Sequence, residues 1–186
     1  MRRLDRKSAL LAVIDVQEKF ANVIHRFDDV QRNIDRLIRG CYLLRVPAAV
    51  TEQYSKGLGE TVETLKKALA DTYAGEARPM EKMCFSSLRC AEFADQLGKS
   101  GRKQILLAGI ETHVCVWQTC VDLLEDGYEV FVVADAVSSR TPENRDIALR
   151  RMEQEGAKLT TTEMALFEMT VEAGTDEFKA ISKLVR

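Results

Sequence analysis

Proline is scarce: three residues in a chain of 186, and no stretch rich in Pro, Gly or Ser divides it. No linker is indicated, so one domain covering residues 1–186 is expected. Long apolar runs are also missing, and nothing approaches a membrane span. Basic residues do not outnumber acidic ones, 27 against 29, for a net charge of −2. The basic excess or stripe of a nucleic-acid binder is therefore absent, and neither nucleic acid nor membrane is an expected partner. The cluster Arg2, Arg3, Arg6 and Lys7, offset by Asp5, reads as a solvated N-terminal arm. The opening MRRLDRKSALLAVIDVQ mimics a secretory leader. Its apolar run is short, stops at Asp15 and has no small-residue cleavage site, so a leader is not expected. Five scattered cysteines, an odd number without CxxC spacing, suggest neither a disulfide framework nor a zinc site. A reducing cytoplasm fits them better. No G-x-G-x-x-G follows the first apolar run, and Gly57 and Gly59 lie elsewhere, which removes the dinucleotide-binding signature.

What is present alternates. Ser8 to Val16 is a continuous apolar run, the pattern of a strand buried on both faces. Val30 to Leu44 carries Ile34, Leu37, Ile38, Tyr42 and Leu43 at helical spacing. Further strands are predicted at Pro47–Thr51, Arg78–Lys82, Lys103–Gly109, Tyr128–Ala134 and Ala157–Thr161. Between them fall helical patterns at Thr61–Leu69, Ala91–Lys99, Val114–Glu125 and Pro142–Glu155. The last of these has Thr141 as N-cap and Pro142 at its first position. Two helices, Glu163–Met169 and Asp176–Val185, close the chain. Such alternation predicts an α/β fold: a six-stranded parallel sheet between two helical layers, Rossmann-like, with right-handed crossovers. Ligands of these sheets bind beyond the carboxyl ends of the strands, where strand order reverses.

Two strand ends carry candidate chemistry. Asp15 terminates the first strand; a loop or capping role is the plain alternative. Cys115 follows the fourth strand in GIETHVCV, in the first turn of a predicted helix. Unpaired N–H groups and partial positive charge there would favour a thiolate and could hold an oxyanion. A small buried core cysteine is the competing explanation. Cys41 and Cys120 fall on packing faces, and Cys84 and Cys90 have no assigned chemistry. His25 lies in a polar stretch. His113 is two residues from Cys115, and neighbours in a turn rarely aim at each other, so a carboxylate is preferred as base over a Cys–His dyad. Lys82, alone, reads as an ordinary loop charge.

Together these segments resemble the isochorismatase-like cysteine hydrolases. The resemblance rests on Asp15, Gln17 and Phe20 in IDVQEKF, Lys82 in KMCFSS, the GIETHVCV loop, and Ala134, Asp135 and Ala136 in VFVVADAVSSR. TEQYSKGLGET and GIETHVC look most similar to the isochorismatase-domain-containing branch. The resemblance implies a catalytic triad of Cys115, Asp15 and Lys82, and hydrolysis of a small amide or related C–N bond through a thioester. It also implies a cis peptide joining Ile110 and Glu111, and an oxyanion hole from the N–H groups of Glu111 and Cys115. Vinyl-ether hydrolysis of the isochorismate type, or an oligomeric binding protein that keeps the fold, are the alternatives. Members with a metal use an Asp-x-His motif; TEQYSKG holds no histidine, so neither metal nor cofactor is expected. Leu88 departs from the phenylalanine of many relatives. Phe20, Tyr54, Phe85, His113 and Trp117 are possible pocket residues, with core packing or a subunit contact as alternatives for the aromatics. A homo-oligomer, a dimer or larger, is the implied assembly.

Overall fold

The computed structural model describes residues 3–186. Six parallel strands form one sheet: β1 (Ala9–Ile14), β2 (Ala48–Gln53), β3 (Pro79–Lys82), β4 (Gln104–Ile110), β5 (Glu129–Ser138) and β6 (Lys158–Thr160). Their order across the sheet is β3-β2-β1-β4-β5-β6. The chain winds outward in one direction from β1, then returns to its other side at β4. The crevice between β1 and β4 is thus the point of reversal at which such sheets bind ligands.

Strand alternation explains the two cores. Ala9, Leu11 and Val13 of β1 face one side, while Leu10, Ala12 and Ile14 face the other. The first side is covered by α1 (Phe27–Leu43), α3 (Glu63–Tyr73), α7 (Thr162–Thr170) and α8 (Asp176–Val185). The second is covered by α4 (Ala91–Ser100), α5 (Trp117–Glu125) and α6 (Pro142–Gln154). A single turn, α2 (Ser55–Leu58), follows β2. β1 and β4 are buried on both faces along their whole length, as continuous apolar runs require.

Three features depart from the sequence reading. The N-terminal segment is packed rather than free: Leu4 is buried, Arg6 pairs with Glu177 at 2.6 Å, and Gln104 Nε2 donates to the Arg3 carbonyl at 2.9 Å. Arg2 lies outside the described residues. Helix α1 begins at Phe27, three residues early, because Arg26 takes a left-handed conformation that turns the chain into it. Strand β5 runs to Ser138, four residues past Ala134. Its register slips against β4: Leu107 pairs with Val132, but Gly109 pairs with Val137. Arg145 fastens this bulge by donating to the carbonyls of Ala134 and, at 3.2 Å, Val137. Asn33 holds the Asp135 carbonyl at 2.8 Å, and the Asp135 carboxylate accepts from Thr162 N and Oγ1. The slip delivers Ser138 and Ser139 to the end of β4. Gly109 has φ of 125°, and a Cβ there would lie 2.1 Å from the Ile14 carbonyl oxygen, so β1 and β4 meet this closely only at glycine.

Candidate active site

Asp15 leaves β1 with φ of 52°, a bend that takes its side chain out of the strand's alternation. Lys82 closes β3 at the sheet edge, two strands from β1, or about 9.6 Å at the usual spacing. Only a long side chain spans that gap. Its ammonium reaches Asp15 Oδ2 at 2.7 Å, and the two side chains are 0% and 1% exposed. Three more acceptors surround Nζ: Gln53 Oε1 at 2.8 Å, the Phe85 carbonyl at 3.0 Å and the Cys84 carbonyl at 3.1 Å. A buried ammonium needs such a cage to replace its water.

Strand β2 lies between them and supplies the frame. Thr51 Oγ1 donates to Asp15 Oδ1 at 2.7 Å and lies 3.3 Å from Ser87 Oγ. Gln53 donates from Nε2 to the Met83 carbonyl at 2.9 Å, and its backbone N–H donates to Gln17 Oε1 at 2.8 Å. Gln17 Nε2 in turn donates to the carbonyls of Gln53 and Gly59. Thr51, Gln53 and Ser87 are absent from the sequence-based site; the polar residues closing strand two were the available signal.

The nucleophile candidate enters from the β4 side. The Ile110–Glu111 peptide is cis. The following turn, Thr112–Val116, is wider than an α-turn: Val116 N–H donates to the Glu111 carbonyl five residues back at 3.2 Å. Cys115 therefore sits in a wide turn ahead of α5, not inside a regular first α-turn. Its thiol is buried in the second core beside Ile14, and the Asp15 charge acts on it. Burial raises the Asp15 carboxyl; Lys82, Thr51 and the thiol pull it back. The thiol is also pushed up, first by burial and then by the Asp15 charge, with Lys82 opposing and Glu111 adding to the rise. Burial and the Asp15 charge thus oppose the thiolate that the N–H groups of the turn would favour.

Glu111 is 10% exposed at its side chain and accepts from Arg140 N at 3.3 Å and Arg140 Nε at 3.0 Å. His113 turns its Nδ1 to Ser139 Oγ at 3.0 Å. Ser139 accepts from His25 N–H through its carbonyl, and Ser138 Oγ donates to the His25 carbonyl at 2.6 Å. Tyr54, Met83 and Phe85 are exposed around the β2 and β3 ends, with Tyr54 N–H donating to the Lys82 carbonyl. Phe20 packs against the first core. Trp117 packs against the second, under the Arg151 guanidinium at 4.0 Å from its ring centre, and Leu88 joins the same cluster. Among the described residues, no group of three or more His, Cys, Asp or Glu could hold a metal ion. The large groove of about 710 Å³ lined by Tyr42, Val46, Tyr73 and Gln96 lies at the opposite, amino end of the strands.

The Isochorismatase domain family matches residues 8–164. A secreted isochorismatase effector, Isc1, from Phytophthora sojae is 45% identical over 99% of this chain and 87% of its own. The structure of the MAR1 ribonuclease from Caenorhabditis elegans aligns with a TM-score of 0.91 and 42% identity, covering 99% of this chain and 92% of that one. The structure of YcaC from Pseudomonas aeruginosa, with hexane-2,5-diol and covalent acrylamide, aligns with a TM-score of 0.89 and 26% identity over 98% and 91% of the two chains.

Proposed function

The chain belongs to the isochorismatase family of hydrolases, and on that premise we propose that it is a cysteine hydrolase of small amides or related C–N bonds. We read residues 1–186 as one such domain. The observation that carries the reading is the buried Asp15–Lys82 pair at 2.7 Å, set at the end of β1 beside β4, whose following turn carries Cys115. Attack begins as Cys115 Sγ adds to the substrate carbonyl while its proton passes to Asp15. The new oxyanion is held by the N–H groups of Glu111 and Cys115. Collapse breaks the C–N bond, and Asp15 returns the proton to the leaving nitrogen. Water, deprotonated by the same carboxylate, then opens the thioester and frees the acid and the thiol. Lys82 keeps Asp15 ionised between these transfers. The acrylamide bound covalently in the YcaC structure supports a reactive nucleophile in this fold.

Five unpaired cysteines support a reducing compartment such as the cytoplasm, although the Phytophthora relative is named as secreted. Among the described residues, no helix is long and apolar enough to cross a membrane. The exposed Tyr54, Met83 and Phe85 support a homo-oligomer, which sedimentation would test. The deciding experiment is turnover of a small-amide panel, read by ammonia or amine release, with isochorismate and RNA as further arms. Wild-type chain is expected to hydrolyse an amide, and Cys115→Ala to lose turnover with its fold intact. Full activity in Cys115→Ala overturns the reading; hydrolysis of isochorismate or RNA alone replaces it.

A further inference from the structure

The groove at the amino end of the strands has a chemistry of its own. Its volume of about 710 Å³ suits a small molecule. Buried Val46, Ala48, Tyr73 and Ala77 form its floor. Tyr42, 47% exposed, stands edge-on to Tyr73 with ring centres 5.4 Å apart. The polar groups along the floor are spent on the protein. Tyr73 Oη donates to the Val46 carbonyl at 2.7 Å, Gln96 Nε2 to the Ala48 carbonyl at 3.1 Å and Ser100 Oγ to the Leu97 carbonyl at 2.6 Å. The free donors left to a ligand are cations. Arg45 and Arg102 both line the groove, and among the described residues neither has a carboxylate within ion-pair distance. Arg102 Nη1 is steadied by the Arg6 carbonyl at 2.7 Å. Glu76, exposed, is the one acid among the lining residues. Charges further out are largely matched: Lys99 with Asp95, Arg78 with Glu92, and Arg39 with Asp35 and Asp71. Lys183 adds a cation to the surface beyond Tyr42 and Leu43.

Arg45 also stands where the backbone calls for a different residue. Helix α1 ends with the Arg45 N–H on the Tyr42 carbonyl at 3.0 Å and the Val46 N–H on the Cys41 carbonyl at 2.8 Å. That pairing puts the residue after the cap in the left-handed region, where glycine is the usual choice. Arg45 has φ of 59° there, a conformation its Cβ resists. The chain leaves α4, α5 and α6 through Gly101, Gly127 and Gly156, all at positive φ. Glycine would serve the end of α1 better; what arginine adds is a cation at the groove.

We propose that this groove is a second binding site, separate from the Cys115 site, for a small aromatic monocarboxylate. The ring lies against Tyr42 and the apolar floor, and Arg45 and Arg102 receive the carboxylate. Glu76 disfavours a second negative charge on the ligand.

Isothermal titration calorimetry with 2-naphthoate tests this. The wild type is expected to show one saturable site per chain. Its affinity should exceed that for neutral 2-naphthylmethanol, and for naphthalene-2,6-dicarboxylate, by at least about tenfold. Arg45→Gly separates binding from folding. It should be at least as stable as the wild type in thermal melts, since the left-handed strain is relieved, yet bind at least about tenfold more weakly. Wild-type affinity in Arg45→Gly, equal affinity for the neutral alcohol, or no saturable binding overturns the proposal. A less stable Arg45→Gly means that the arginine serves the fold, which also counts against it. Tyr42→Ala should weaken binding at least about fivefold, and an unchanged affinity removes the aromatic part of the site. Cys115→Ala should bind as the wild type does; loss of binding there would place the ligand at the other end of the sheet and overturn the second site.

Discussion

Replacing Lys82 by Met isolates the energetics of the buried pair. The side chain keeps its length but loses an ammonium held by Asp15, Gln53, Cys84 and Phe85. Removing one partner of a buried ion pair costs roughly 3–5 kcal/mol. Here the cost is capped, because Asp15 can take up a proton instead of standing unpaired. Each unit by which its carboxyl must rise above about 3.9 costs about 1.4 kcal/mol. The cap is then about 4 kcal/mol at pH 7 and about 1.5 kcal/mol at pH 5. The orphaned carbonyls add about 1 kcal/mol at any pH. The sign follows from a carboxyl that rises further once its cation is gone: the pH-dependent part of the deficit is absent below the unfolded value near 4, and grows as pH climbs toward the folded one. Urea titrations followed by circular dichroism at pH 5 and pH 7 measure both costs. Adding Asp15→Asn should remove most of the pH dependence, since both charges then leave together. A Lys82→Met cost equal at the two pH values, or a double variant no better than the single at pH 7, refutes the reasoning.

Thr51→Val deletes the 2.7 Å hydrogen bond to ionised Asp15, so its carboxyl should hold a proton more tightly. The acid limb of Cys115 alkylation, or of amide turnover, should move up by about one pH unit. Gly109→Ala places a Cβ 2.1 Å from the Ile14 carbonyl oxygen at φ of 125°. A loss of at least about 3 kcal/mol in the urea midpoint, or insoluble protein, is expected. Burial pushes the thiols of Cys41 and Cys120 up to about 12. Unfolded thiols ionise near 8.5, so stability should fall from about pH 9 toward 12, by roughly 1.4 kcal/mol per thiol per unit. Cys41→Ala should flatten that slope in thermal melts taken across the range.

The sheet was largely readable because its strands are apolar runs, and Ala9–Ile14 is buried on both faces as that pattern demands. Thr141 caps α6 through Asn144 N–H, at the place its neighbour Pro142 marked. The end of β5 was hidden by Asp135, a polar residue whose carboxylate is satisfied by Thr162, far away in sequence. Asp15 and Cys115 could be suspected from strand ends, and Lys82 only from family resemblance. Periodicity says nothing about a side chain that crosses beneath a neighbouring strand. Local position favours a thiolate at Cys115, while burial and the Asp15 charge, which oppose it, act across the fold and leave no local signal. Arg140 left no signal at all; one arginine after a strand looks like any other.

The pairing of Asp15 with Lys82 spans 67 residues and two intervening strand contacts. Nothing in a partly assembled chain brings those atoms together, because parallel neighbours meet only after each crossover helix has docked. Helical signal should therefore return early during refolding, while the environment of the thiol recovers last. Reactivity at Cys115 becomes a clock for completion: it reports the moment when the edge strand β3 joins, a step that bulk spectroscopy averages away.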